Sequence, residues 1–399
     1  MHAATILQRC LEPLLHHMHR RRLATLLAAV ASCVSGPRLS LTDVGRRFAA
    51  TTTPRHAIKR SDRLLGNRHL QREARSIYAA LCRVLLARIS EPLILIDWSD
   101  LKADQSLHLL RASLPVGGRS LTLYEEVHPQ HKLANRTVQE RFLRRLAERL
   151  PAHVAPIIIA DAGFKVPFFR EVERLGWRWV GRVRGRDYLR LHRHWVSCQA
   201  LFKQARQTPK ALGEGEWVRS NPLRAVFVLV RLASKGRRSH NAFGNRSRSK
   251  ASTQSARAAK EPWLRVACTA FAGVAAKKLV RLYRQRMQIE ESFRDMKSQH
   301  FGEGLECSRS SGTGRFTVLV LIASLAAFLL WLLGTAADHC GLERRMRPGN
   351  GKRRAYSRLF LARLLLVLET YRDVLKELVS TIRRPDQWVA SDHNALLAD

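Results

Sequence analysis

The chain is poor in acidic residues, and this shortage narrows the classes of protein it can belong to. It has 32 Asp and Glu against 70 Lys and Arg, a formal net charge of +38 over 399 residues. Such an excess does not suit an ordinary enzyme of small metabolites. It suits a polyanionic partner, because phosphate attraction that ignores sequence would supply much of the affinity. A membrane surface or the ribosome is the alternative partner for this charge.

Paired cysteines and metal-binding spacings are also missing. The seven cysteines occur singly, without a CxxC pair, which predicts reduced thiols in a cytosolic protein. The histidines of residues 14–19 and 192–195 have no partners at a metal spacing, so we expect them in solvated basic segments. The first residues lack the uninterrupted apolar core and cleavage site of a signal peptide, so we expect no such signal.

Long hydrophobic runs are scarce, and residues 316–334 form the one stretch that resembles a membrane span. This stretch has basic residues on both sides and directly follows a polar helix. We therefore predict a helix buried in a large core, and no membrane partner.

The stretch RLYRQRMQIEESFRDMKSQH, residues 281–300, predicts a single helix because it has good helix formers and no Gly or Pro. Tyr283, Glu290 and Lys297 are separated by heptads and would share a narrow stripe, with Arg286 close beside them. On this helix alone, a surface helix with i,i+4 charge pairs is the alternative. The stripe would border an apolar face formed by Leu282, Ile289, Phe293 and Met296.

Residues 1–88 predict a basic helical domain. Clustered Arg and Lys on short helices are typical of DNA-binding domains, including the helix-turn-helix type, although a plain helical bundle with a solvated basic face fits equally well. Within this region, Thr42 is the candidate N-cap of a short helix in residues 39–48.

Residues 89–185 predict the first part of a catalytic α/β domain. The apolar run LILI predicts a buried strand that ends in Asp97, and residues 157–160 predict a second one that ends in Asp161. Between them we predict two strands joined by the turn VGGR and an amphipathic helix whose candidate N-cap is Asn135. A helix at 166–175 and a strand at 177–183 complete the order β-β-β-α-β-α-β. This is the order of the ribonuclease H-like fold, in which the first and fourth strands are neighbours, so that Asp97 and Asp161 would meet.

The remainder of the chain falls into three segments that differ in composition. Residues 186–273 predict a β-rich insertion with strands near 225–233 and 263–271, separated by a long, flexible basic loop. Residues 274–345 predict the second part of the catalytic domain, and residues 346–399 predict a C-terminal helical region with helix at 356–382.

Three carboxylates in this order are the candidate chemistry. Mg²⁺ prefers oxygen ligands, and two such ions about 4 Å apart can activate an attacking hydroxyl and stabilise the leaving oxygen. Asp97, Asp161 and Glu290 would supply this site. An apolar run that ends in Asp is common, and either aspartate alone is more often a turn residue or helix cap; the fold context of the two favours the metal site.

The spacing of Tyr283, Arg286, Glu290 and Lys297 resembles the Tyr-Arg-Glu-Lys signature of the DDE transposases of bacterial insertion sequences, in the group called the insertion-sequence-four family. Both Asp motifs lie upstream in the order that this family has, and residues 58–67 also resemble its N-terminal region. The resemblance covers most of the chain. It implies a ribonuclease H-like catalytic domain with a β-rich insertion, flanked by a helical DNA-binding region and a C-terminal helical region.

The resemblance also implies roles. Asp97, Asp161 and Glu290 would hold two Mg²⁺ ions, with Mn²⁺ as a substitute. Tyr283, Arg286 and Lys297 would bind phosphates of the transposon end. Trp263 resembles a tryptophan that stacks on a flipped base during hairpin formation, and core packing is the alternative for it.

The implied protein is a cut-and-paste transposase that binds terminal inverted repeats, cleaves DNA and joins 3′-hydroxyl ends to target DNA. Its partners would be double-stranded DNA and, in the DNA complex, a second copy of the chain. Its location would be the bacterial cytoplasm, at the nucleoid. The alternatives are an inactive or domesticated DNA-binding relative and a structure-specific nuclease of the same fold.

Overall fold

A computed structural model describes residues 4–36, 38–48, 53–232, 263–299, 302–349, 351 and 354–398. The chain divides into two compact units, Met1–Val154 with Met287–Asp399, and Ala155–Arg286. The flexible loop predicted between the strands of the insertion lies outside the described residues. The domain boundaries drawn from composition stay a prediction.

The first unit begins with helices, as predicted for residues 1–88. Ser40 is the N-cap of the third helix, whereas the sequence predicted Thr42 in that position. The Ser40 hydroxyl accepts from the Asp43 backbone N–H at 3.2 Å and donates to the Asp43 carboxylate at 2.6 Å, and Thr42 already lies inside the helix. Its helices up to residue 147 are α1 (Ala4–Leu11), α2 (Arg20–Val34), α3 (Leu41–Arg46), α4 (Pro54–Leu65), α5 (Arg68–Leu85) and α6 (Arg136–Ala147). Asn135 caps α6 as predicted, because its side chain accepts from the Val138 N–H at 3.1 Å.

Three strands of this unit form the predicted antiparallel meander: β1 (Leu93–Asp100), β2 (Leu107–Pro115) and β3 (Ser120–Pro129). Gly117 and Gly118, at φ of +81° and +89°, make the turn between β2 and β3. The prediction that β1 ends at Asp97 is wrong. Its pairing with β2 continues to Asp100, which bonds His108 at 2.9 Å, so Asp97 lies within the strand.

The helix predicted at 316–334 is the core of the first unit. It extends over α11 (Thr313–His339), and it packs against α2, α4, α5, β3 and the C-terminal helices. By length and composition it is the one helix among the described residues that could cross a membrane, but 89% of its most apolar window is buried inside the protein. The prediction of a buried core helix is confirmed. The C-terminal helices are α12 (Leu342–Met346), α13 (Arg358–Val367), α14 (Arg372–Thr381) and α15 (Pro385–Ala395).

The second unit is a sheet with three helices among its described residues. The strands β4 (Ile157–Ala160) and β5 (Arg178–Arg182) are parallel, and β10 (Trp263–Ala267) lies antiparallel to β5. The sheet continues through β9 (Leu223–Val230) and β8 (Lys210–Trp217) to the hairpin of β6 (Tyr188–Leu191) and β7 (His194–Ser197). Its helices are α7 (Val166–Arg174), α8 (Cys198–Phe202) and α9 (Ala276–Arg284).

The single helix predicted for residues 281–300 is wrong. The chain forms α9, a two-residue turn at Gln285 and Arg286, and then α10 (Met287–Lys297). At the turn, Gln285 and Arg286 donate to carbonyls three residues back, at 3.2 and 3.1 Å. Bonds of this type give about 3 residues per turn and change the angular spacing of side chains. The stripe is therefore two separate pairs, Tyr283 with Arg286 and Glu290 with Lys297.

Candidate active site

Two of the three predicted carboxylates lie together in the first unit. Asp97 from β1 and Glu290 from α10 line one cavity of about 440 Å³, and both are half-buried. The Asp97 carboxylate accepts from the Trp98 backbone N–H at 2.8 Å, which orients it at the strand. Carboxylate side chains that line one cavity can supply the oxygen donors that a hard divalent cation prefers.

Lys297 lines the same cavity. Its ammonium donates to the Ser99 hydroxyl at 3.0 Å and to the Asp100 carbonyl at 3.3 Å, so the side chain is anchored on β1. Burial lowers the pKa of Lys297 while nearby Asp100 and Glu306 raise it. The cavity thus combines two carboxylates that can hold a cation with an ammonium that can contact an anion.

Helix α10 is held against the sheet on its opposite side. Ser292 accepts from the Ser120 backbone N–H at 2.8 Å, and Asp295 forms an ion pair with Arg119. Buried Phe293 and Met296 pack on Arg111, whose guanidinium lies 5.2 Å from the Phe293 ring centre. These contacts hold the helix that carries Glu290 over the strand that carries Asp97.

The third carboxylate, Asp161, lies in the second unit and follows β4 directly, as predicted. Its carboxylate accepts from the Gly163 N–H at 2.6 Å and its carbonyl from the Phe164 N–H at 3.3 Å. The tight turn at Asp161 holds the carboxylate at the end of the strand.

Tyr283 and Arg286 lie in the same unit as Asp161. Burial raises the pKa of the Tyr283 phenol, while the charges of Arg265, Arg286 and Arg182 lower it and Asp161 raises it. The Arg265 guanidinium lies 3.8 Å from the centre of the Tyr283 ring. Tyr283 is therefore surrounded by arginines, and Asp161 is within electrostatic range of it.

Trp263 begins β10 and pairs with Val230, but its side chain lies outside the described residues. The role predicted for it stays a prediction. Three neighbouring carboxylates have other structural partners: Asp100 bonds His108, Asp104 bonds Ser106, and Glu291 pairs with Arg294.

Two buried arginines lie behind these groups and were not predicted from the sequence. Arg111 pairs with Glu125 at 2.7 Å in the first unit, and Arg265 lies under Tyr283 in the second. A signal was present in both strands, because each arginine interrupts an otherwise apolar strand pattern, but strand periodicity does not reveal what a buried charge faces.

The oxygen donors in the first unit fit a divalent metal ion by their chemistry. Among the described residues, no group of three or more His, Cys, Asp or Glu side chains is placed to hold a metal ion by itself. The predicted ligands come from both units, with Asp97 and Glu290 in one and Asp161 in the other.

Comparison with known proteins identifies the family model that fits this arrangement. Residues 89–329 match the model described as Transposase DDE domain, which spans more than half of the chain. Members of this family generally use divalent metal ions. The mixed α/β structure, with helices packed on its strands, agrees with the ribonuclease H-like fold of transposases.

Among solved structures, the chain is similar to the piggyBac transposase in its synaptic complex with hairpin DNA. The TM-score is 0.43 at 12% identity, over 96% of this chain and 77% of that chain. No curated protein sequence matches.

Proposed function

This chain belongs to the family of DDE transposase domains, and on that premise we propose that it is a cut-and-paste DNA transposase of the insertion-sequence-four group. It would bind the terminal inverted repeats of an insertion sequence, cleave DNA there and join the 3′-hydroxyl ends to target DNA. The proposed reaction is in-line phosphoryl transfer at the phosphodiester bond, with the 3′-oxygen as the leaving group in cleavage and as the attacking group in joining.

The observation that carries this proposal is the shared cavity of Asp97 and Glu290, with Lys297 anchored at its side. A family match alone would be satisfied by an inactive relative. A cavity that retains two oxygen-donor side chains and a cation beside them supports retained chemistry.

We assign the metal site to Asp97, Asp161 and Glu290, with Mg²⁺ as the ion and Mn²⁺ as a substitute. When bound, two such ions would polarise the phosphoryl group and lower the pKa of an attacking water. Ser292, Asp295 and Arg119 would keep Glu290 oriented towards the cavity by fixing α10.

The phosphate-binding roles are assigned to Lys297, Arg286 and Tyr283. A guanidinium can bind a phosphate through two parallel hydrogen bonds, whereas an ammonium acts as a point charge. Trp263, at the start of β10, is proposed to stack on a base at the DNA end during a hairpin step.

The proposed partners are double-stranded DNA at the transposon ends and the target, and a second copy of the chain in the DNA complex. The net charge of +38 supports a partner with a phosphate backbone. The proposed location is the bacterial cytoplasm at the nucleoid, with no membrane partner.

The test compares two neighbouring carboxylates on α10. Purified Glu290→Gln, Asp161→Asn and the control Glu291→Gln are incubated with linear DNA that carries the ends of the parent element, with Mg²⁺ or with EDTA. Glu291 is the matched control because it lies beside Glu290 but pairs with Arg294.

We expect Mg²⁺-dependent cleavage at the ends by the unmodified chain and by Glu291→Gln. Both metal-site variants should lose cleavage and keep most of their DNA binding. Cleavage by Asp161→Asn would overturn the metal-site assignment. DNA binding without cleavage by every protein would indicate the inactive DNA-binding relative, and cleavage without joining would indicate the structure-specific nuclease.

A further inference from the structure

Two histidines of the first unit are buried at opposite ends of β1. His393, which is 0% exposed, lies at the start of the strand, where it accepts from the Leu93 backbone N–H at 3.1 Å and lies 3.0 Å from the Pro115 carbonyl. Both of its ring nitrogens therefore have partners. His108, which is 1% exposed, lies at the other end of the strand, opposite Asp100 in the register of β1 and β2.

The hydrogen bonding of His108 differs from that of His393. Its Nδ1 lies 2.9 Å from Oδ1 of Asp100, and because an ionised carboxylate only accepts, Nδ1 is the donor. In the part of the chain that the structure describes, its Nε2 has no hydrogen-bond partner. A buried polar atom without a partner costs free energy, and an apolar side chain would avoid that cost. The bond to Asp100 is therefore what a histidine adds at this position beyond its packing.

Asp100 joins His108 to Lys297. Its carboxylate bonds His108, and its backbone carbonyl accepts from the Lys297 ammonium at 3.3 Å. The same ammonium donates to the Ser99 hydroxyl at 3.0 Å. Burial lowers the pKa of Lys297 and the Asp100 charge raises it, so this carboxylate also favours the charged lysine. The path from His108 to Lys297 thus consists of two hydrogen bonds that share one residue.

The residues of this path differ in their access to solvent. The Asp100 side chain is 50% exposed and Lys297 is half-buried, so both have room to adopt other rotamers. His108 is enclosed and supplies the fixed point. Lys297 lines the cavity that Asp97 and Glu290 share, so a shift of Asp100 would move the ammonium relative to both carboxylates of that cavity.

We propose that His108 is a positioning residue, which fixes Asp100 and through it places the Lys297 ammonium in the cavity. The inference rests on the proposed function for what Lys297 contacts, a phosphate of DNA. His108 acts on the ammonium through Asp100 and not by its own contact with DNA. This role explains why a histidine with incomplete hydrogen bonding occupies a buried position beside the candidate site.

The first experiment follows the Lys297 ammonium in the DNA-free protein. The full chain is prepared with isotope-labelled lysine, and NMR measures how fast the ammonium hydrogens exchange with water, for the signal that Lys297→Ala removes. His108→Leu removes the donor and keeps apolar volume, whereas His108→Asn keeps an amide that can donate to Asp100. The control is His393→Leu, which removes the buried histidine at the other end of β1.

We expect faster exchange of the Lys297 hydrogens in His108→Leu, because the Asp100 carbonyl is no longer held in one place. His108→Asn should restore most of the slow exchange. His393→Leu should lower the Tm and leave the exchange unchanged. If His108→Leu does not fold, Asp100→Ala carries the same test at a half-exposed side chain, with Asp100→Asn as the variant that can still accept from His108. Unchanged exchange in the variant that loses the bond, or equally fast exchange in His393→Leu, would overturn the proposal.

The second experiment measures cleavage of DNA ends in Mg²⁺. His108→Leu should lower the rate constant by about 10- to 100-fold, as is common when a group that orients a site residue is lost. In a chain that already carries Lys297→Ala, adding His108→Leu should change the rate by less than about twofold, because the ammonium that it positions is absent. Equal losses in the two backgrounds would overturn the proposal.

The two experiments separate this inference from the proposed function. Faster Lys297 exchange in His108→Leu, without Mg²⁺-dependent cleavage by the unmodified chain, would support the positioning role and remove the transposase. Cleavage by the unmodified chain, with no change of exchange in His108→Leu, would do the opposite.

Discussion

Arg111 in the first unit and Arg265 in the second are 3% and 2% exposed, and each lies behind a part of the candidate site. Arg111 faces Glu125, and the two side chains form an ion pair of 2.7 Å. Arg265 faces Arg182. Two arginines of equal burial thus have different surroundings: a carboxylate lies against Arg111, whereas Arg265 is stacked on the Tyr283 ring on a strand beside Arg182.

The hydrogen bonds of Glu125 explain why the Arg111–Glu125 ion pair is stable within the core. Besides Arg111, this carboxylate accepts from the Tyr78 hydroxyl at 2.5 Å and from the Ser324 hydroxyl at 2.8 Å. These donors come from β2, α5 and α11, so one buried carboxylate joins three elements. Such a network rigidifies a core when its members are satisfied.

The largest expected effect comes from breaking the matched pair. Glu125→Gln leaves the Arg111 charge buried without its counter-charge, which should destabilise the protein by about 3–5 kcal/mol. Urea denaturation followed by circular dichroism measures this loss. Addition of Arg111→Met should restore much of the stability, and a double variant as unstable as the single one would show that the pair is not the cause.

A second prediction concerns a carboxyl group of the first unit whose hydrogen bonding is incomplete among the described residues. Glu303 is buried, and among the described residues its Oε2 has no hydrogen-bond partner. Burial raises the pKa of Glu303 to about 8, with Arg363 and Arg111 lowering it.

Because the pKa of Glu303 is higher in the folded protein than in the unfolded chain, its contribution to the free energy of unfolding is fully present only at low pH. It falls as the pH rises from about 4.5 to about 8. Glu303→Gln should remove this decline and stabilise the protein at pH 8 by a few kcal/mol, up to about 4 kcal/mol. Denaturation midpoints at pH 5 and pH 8 test the prediction, and an unchanged pH dependence in the variant would contradict it.

A smaller effect should come from one donor of the network. Ser324→Ala removes the hydroxyl that bonds Glu125 and Thr122, which should cost about 1–2 kcal/mol. Ser35→Ala is the control, because the exposed Ser35 hydroxyl donates to carbonyls of its own helix. Equal midpoints for the two variants in urea would refute a role for Ser324 in the network.

The smallest effect compares the two units as phosphate binders. Lys297→Ala and Arg286→Ala should each reduce the salt slope of DNA binding by about 0.9, because each removes one proposed contact. Lys210→Ala, an exposed lysine of the second unit, is the control. A slope unchanged by Lys297→Ala would remove this residue from the phosphate-binding set.

Much of the fold follows from local pattern. The apolar run 157–160 became β4 with the predicted bounds, and the alternation around VGGR gave the β2–β3 hairpin, because both are decided by nearest neighbours along the chain. The break at Gln285 and Arg286 was not predictable, since neither residue opposes helix and the turn coincides with the boundary between the units. The neighbours of the two buried arginines also depend on long-range information. Each of Arg111 and Arg265 interrupts an apolar strand, but only the strand register decides that Glu125 lies opposite the first and Arg182 opposite the second.

Helix α11 has a consequence for how the chain is made. Its most apolar window has a mean hydropathy of 2.7, which is typical of segments that membrane-insertion machinery accepts. The helices that cover it from the N-terminal side, α2, α4 and α5, leave the ribosome long before it does. Because these three helices are synthesised first, they are available to cover α11 when it emerges. A chain shortened from its beginning would lack them and would expose the apolar helix to chaperones and to the membrane.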